Sequence, residues 1–153
     1  MLTQDQIKEL NAIFPHVLGS ELGRTKNVVV GLYDIAIQGG AVGTSKILDP
    51  FTNQPLRIPA NALFGVPVDF AFDVLDGLVS GGVTEISLGL EAPDDLLGNV
   101  EIGFLGSPGI SPYSYGSPVK TTAEQELTMT ISTDPLVAGK FLVFLEYLLS
   151  PEV

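Results

Sequence analysis

Cysteine and tryptophan are missing altogether, and histidine occurs once, as His16. Without cysteine there is neither a disulfide framework nor a thiolate metal site. One histidine cannot assemble an imidazole metal centre, and no serine with an elbow motif stands beside it. His16 follows Pro15 and reads as structural. Basic residues are also scarce. Seven Lys and Arg face 18 Asp and Glu, a net charge of −11, so a phosphate backbone or an anionic bilayer would repel the chain. Neither nucleic acid nor membrane is expected as a partner. No apolar run reaches the roughly 18 residues of a membrane span, and no charged-then-apolar leader opens the sequence.

What is abundant is apolar. The hydrophobic fraction is 45% and the charged fraction 16%, against a usual charged share of about 25%. The surplus is expected to lie in a core or at a subunit interface. A length of 153 residues suits one domain, or one domain plus an arm. The charge is uneven. Residues 1–57 carry five basic and five acidic side chains, residues 58–119 carry eight acids and no Lys or Arg, and residues 120–153 carry two Lys and five acids. This predicts a neutral docking end and an acidic body facing solvent.

The first segment reads as a helix. Thr3 can cap it with Gln6 three residues on, and Ile7, Leu10, Ile13 and Phe14 fall at helical spacing before Pro15. A lone helix of about 12 residues is marginal in water and must pack on something, its own domain or a neighbouring subunit. Residues 1–26 are therefore read as a helix or arm, and 27–153 as the domain.

That domain reads as strands. Asn27 to Gln38 is apolar on both faces. Residues 41–60, with Pro50, Pro55 and Pro59, read as a long loop or irregular strands. From Phe64 to Leu75, Val66, Val68, Phe70, Phe72 and Val74 alternate with Pro67, Asp69, Ala71 and Asp73, the period of a half-buried strand. The same period places Ile86, Leu88 and Leu90 inward, then Val100, Ile102 and Phe104, then Leu127, Met129 and Ile131. Lys140 to Leu149 is again apolar on both faces, and strand is favoured there over a short helix. At least six strands separated by Gly, Pro, Asn and Asp turns predict an all-β, jelly-roll-like antiparallel β-sandwich. The two-faced first and last strands are expected to sit centrally or to meet another subunit.

Residues 106–119 read as a loop in which Tyr113 and Tyr115 stack on a ligand such as a sugar, or pack the loop onto the body. Asp69 and Asp73 share a strand face, and a solvated face is the default for them. Asp94, Asp95 and Glu91 form an oxygen-rich turn without a calcium-loop pattern. Gly39-Gly40 and Gly81-Gly82 lack the order of a phosphate loop and read as turns. No catalytic residue, metal site or cofactor is expected, and the chain is not read as an enzyme.

Four segments, RIPANALFGVPVDFAFDVL, SGGVTEISLGLEAPDDLL, VKTTAEQELTMTIS and LVAGKFLVFLEYLLS, occur in that order. Over residues 39–150 this resembles the small jelly-roll decoration (cement) and head-fibre proteins of tailed bacteriophages. The resemblance implies a homotrimer on the outer surface of the virion, with the major capsid protein as partner and a structural, clamping role. It brings no catalytic residues. In this setting Ile7, Leu10, Ile13, Phe14, Arg24 and Lys26 are the expected oligomer or capsid interface. The competing expectation is a carbohydrate- or receptor-binding jelly roll using Tyr113 and Tyr115.

Overall fold

A computed structural model of the chain describes residues 26–65, 68–115 and 117–149. The strands are β1 (Lys26–Asp34), β2 (Gly43–Lys46), β3 (Arg57–Ile58), β4 (Ala62–Phe64), β5 (Phe70–Ser80), β6 (Thr84–Gly89), β7 (Leu97–Glu101), β8 (Gly109–Tyr113), β9 (Val119–Lys120), β10 (Gln125–Glu126), β11 (Thr128–Thr133) and β12 (Leu136–Leu149). One helical turn, α1 (Ile35–Gln38), follows β1, and a 3-10 turn (Ile102–Leu105) follows β7.

All pairings are antiparallel. The larger sheet runs β1-β12-β5-β8, with β4 and β9 extending it beside the end of β12. The smaller runs β2-β11-β6-β7. Numbered in chain order, the eight longest strands read 1-8-3-6 and 2-7-4-5 across the two sheets. This is the double Greek key of a jelly roll. The pair β3 and β10 stands apart from both sheets.

Alternation builds the core. Phe70, Phe72 and Val74 of β5 and Phe141, Val143 and Leu145 of β12 point inward and are buried. They meet Ile86 and Leu88 of β6 and Met129 and Ile131 of β11. Each such side chain contributes about 1.5–3 kcal/mol by leaving water. Aromatic rings dominate the larger sheet, with Phe72 edge-on to Phe141 at 5.4 Å. The strand reading of 140–149 and the inward sets on β5, β6 and β11 agree with this arrangement.

Four expectations change. The first strand ends at Asp34, because the Asp34 carboxylate accepts the Ala36 N–H at 2.9 Å and caps a helical turn. The 41–60 stretch, read as loop or irregular strands, holds the short strands β2 and β3. The strand expected to carry Val100, Ile102 and Phe104 on one face gives way to a 3-10 turn after Glu101. The 106–119 segment contains β8, an edge strand; Pro112 is tolerated because only one side of β8 needs ladder donors. Finally, residues 26–57 do not form a neutral end. β1 joins the larger sheet and β2 the smaller, so this stretch threads through the whole sandwich. Of the two strands apolar on both faces, β12 is central between β1 and β5, whereas β1 is peripheral.

Candidate docking end

Jelly-roll connections gather alternately at two ends of the sandwich. The β1–β2, β5–β6, β7–β8 and β11–β12 connections share one end, and glycines let them close on one another. A Cβ on Gly40 would overlap the Leu136 carbonyl, one on Gly77 the Gly106 carbonyl, and one on Gly82 the Asp134 carboxylate. The Leu136 N–H donates to the Gly40 carbonyl at 2.8 Å, and the Thr84 hydroxyl to the Asp134 carbonyl at 2.8 Å.

This end is apolar and exposed. Ile37 is 67% exposed, Val42 54%, Val79 50%, Val83 55% and Val137 63%. The four segments 35–43, 77–83, 102–110 and 133–139 hold one charged side chain between them, Asp134. The opposite connections carry Asp49, Arg57, Asp69, Glu91, Asp94, Asp95, Lys120, Glu124 and Glu126. An exposed apolar surface on a strongly acidic chain is a candidate contact surface.

Local chemistry aims these side chains outward. In α1, Ile35 and Ile37 are two residues apart, about 200° around a helix; Ile35 is buried and Ile37 is not. Tyr33 donates its hydroxyl to the Gly39 carbonyl at 2.9 Å and Gln38 its amide to the Lys46 carbonyl at 2.8 Å, fixing the turn. In β12 the register against β5 shifts between Leu136 and Ala138, Ala138 and Lys140, and Lys140 and Phe141. Such bulges re-aim side chains, and Leu136 is buried while Val137 is exposed. Thr133 enters the β11–β12 turn at φ 75°, strained for a β-branched residue.

Of the six residues expected to form the interface, only Lys26 is among the described residues. Ile7, Leu10, Ile13, Phe14 and Arg24 lie outside the described residues. Lys26 opens β1 at the charged end, its Nζ 3.9 Å from the Glu146 carboxylate. Tyr113 and Tyr115 are half-buried. Tyr115 lies 4.8 Å from Phe70 and 5.4 Å from Phe64, ring centre to ring centre, and Tyr113 lies 5.1 Å from Phe104. The Tyr115 hydroxyl donates to the Glu146 carbonyl at 2.8 Å. Burial, then the Glu146 and Asp69 charges, pushes its pKa well above the usual phenol range. These rings pack the β8 edge onto the body.

Two carboxylates of the exposed oxygen-rich turn are committed to nearby protein donors. Asp95 accepts the Leu90, Glu91 and Ala92 N–H groups at 2.8, 3.1 and 3.0 Å. Glu91 accepts the Thr122 N–H and hydroxyl at 2.6 and 2.7 Å, which lower its pKa. These bonds close the β6–β7 connection. Asp73 lies on the outward face of β5 and Asp69 immediately precedes that strand, the two flanking half-buried Ala71.

The apolar docking residues were missed from sequence because they come from four separated segments. The available signal was the absence of charge around Gly39-Gly40 and Gly81-Gly82, with Asp134 alone beside Pro135.

No protein-family model matches the chain, and no curated protein does. Solved structures do. A chain of the acidic-stable capsid structure of Helicobacter pylori bacteriophage KHP30 superposes with a TM-score of 0.53 at 11% identity, covering 85% of this chain and 96% of that one. A chain of the cyanophage Pam1 capsid asymmetric unit gives a TM-score of 0.58 at 12% identity, covering 84% and 87%. The fold is one found in phage capsids. Both matched chains are of about this chain's length, and the likeness spans most of each.

Proposed function

We propose that this chain is a structural, non-enzymatic protein of a tailed-phage head, a decoration protein that binds the outer surface of the capsid as a homotrimer and clamps neighbouring copies of the major capsid protein. The observation that carries the proposal is the uncharged, apolar end of the jelly roll on a chain of net charge −11. One end can bury apolar surface against a partner while the acidic remainder stays solvated and keeps particles apart. The likeness to capsid chains supports the virion setting, and the sequence resemblance supports the decoration role and the trimer. The sugar-binding alternative has little to use, because Tyr113 and Tyr115 are engaged in packing.

Co-sedimentation of the purified protein with heads lacking it tests the proposal. Saturable binding is expected, and binding to phospholipid vesicles or DNA is not. Failure to bind mature heads at micromolar concentration would count against it.

A further inference from the structure

The outer faces of the two sheets differ in kind. The smaller sheet presents Thr44, Thr128, Thr130 and Ser132, with the Thr44 and Thr130 hydroxyls 2.9 Å apart. A sheet facing water looks like this. The larger sheet does not. Its register aligns Val30, Phe144, Ala71 and Pro112 across four strands, and beside them Leu32, Leu142, Asp73 and Ile110. Val28 adjoins them at 55% exposure, and Ile110 is 74% exposed. The outer face thus has an apolar centre, interrupted by Asp73 and bordered by Glu146 beside Val28, and such a centre calls for a third layer.

We propose that the outer face of the larger sheet is covered in cis by the chain's own N-terminal segment, through the stripe Ile7, Leu10, Ile13 and Phe14. Three observations converge on this occupant. The stripe is an amphipathic pattern that needs a surface, since an isolated helix of about 12 residues is marginal. It is tethered beside that surface, because β1 begins at Lys26 and forms the edge of this sheet. The dimensions also agree. A helix of that length is about 18 Å long, the four strands are about 14 Å across between outer axes, and residues 15–25 can span up to about 36 Å. A tether this short presents the stripe to its own sheet at millimolar effective concentration, so at micromolar protein a neighbour's sheet competes poorly. The stripe is thereby assigned to its own sheet in place of an oligomer or capsid contact. The inference is independent of the phage-head proposal, because it concerns the isolated chain.

Trypsin provides the test, as Lys8 and Arg24 are its only sites before Lys26. In the full-length protein, cleavage after Lys8 is expected to be slow. The double substitution Val28→Asp and Ile110→Asp, at two exposed positions, should accelerate it at least about tenfold, while Thr130→Asp on the other sheet leaves it unchanged. Protection should be the same at about 1 and 100 µM protein. Fast cleavage in the unsubstituted protein, or no response to the double substitution, would overturn the proposal. Protection that grows with concentration would also overturn it, by showing that the face of another copy is the one occupied. An engineered pair, Leu10→Cys with Leu142→Cys in this cysteine-free chain, gives a second readout. An intramolecular disulfide is expected, and exclusively intermolecular disulfides would contradict cis docking.

Discussion

The Tyr115 hydroxyl donates to the Glu146 carbonyl across 2.8 Å and so ties the segment following β8 to the central strand β12. The bond is half-buried and beside two carboxylates, and the phenol's pKa is raised above its usual value of 10.0. A raised pKa in the folded state means that the unfolded chain loses this proton first. The contribution is fully present below pH 10 and falls as pH rises beyond it. Urea unfolding at pH 8, 10 and 11 should show declining stability, with a shallower decline in Tyr115→Phe. At pH 8 that variant should lose about 1 kcal/mol. Burial also raises the Tyr147 pKa, so some slope should remain.

The docking end predicts a separation of binding from stability. Val79, Val83 and Val137 are each at least half exposed, so an Asp at any of them should change unfolding stability by no more than about 0.5 kcal/mol. The triple Asp variant should nonetheless lose at least tenfold in head affinity, about 1.4 kcal/mol. Retained affinity in a folded triple variant would move the docking surface elsewhere.

Strain at the same end predicts a stabilising change. Thr133 sits at φ 75°, a conformation that Asn tolerates far better than a β-branched residue. Thr133→Asn should raise unfolding stability by about 1 kcal/mol in thermal or urea melts. An unchanged or lowered midpoint would mean that the turn is not strained.

Two glycines offer a matched pair. A Cβ on Gly40 would run into the Leu136 backbone, whereas one on Gly81 meets nothing within 4 Å. Gly40→Ala should cost about 1–3 kcal/mol by overpacking, and Gly81→Ala close to nothing. Equal effects would contradict the close approach of the β1–β2 and β11–β12 connections.

Local pattern carried much of the fold in the sequence. Phe70, Phe72 and Val74, or Leu127, Met129 and Ile131, show their inward face by period alone. What period cannot show is pairing. Nothing near Val29 indicates that its partner is Leu145 at the far end of the chain. Nor does a run such as IAIQ say whether Ile35 and Ile37 share a strand face or oppose each other on a helical turn; the Asp34 cap decides it. The strand β8 was hidden by Pro112, acceptable there because β8 is an edge. The docking end was hidden for a topological reason, since Val42, Val83 and Val137 become neighbours of one surface only when the jelly roll closes.

Mass spectrometry of purified phage particles from cells that express this chain tests the proposed phage-head role most directly. The chain should be present in fixed ratio to the major capsid protein, and Val79→Asp, Val83→Asp and Val137→Asp together should remove it from the particle. Its absence from intact, fully assembled particles would contradict the account.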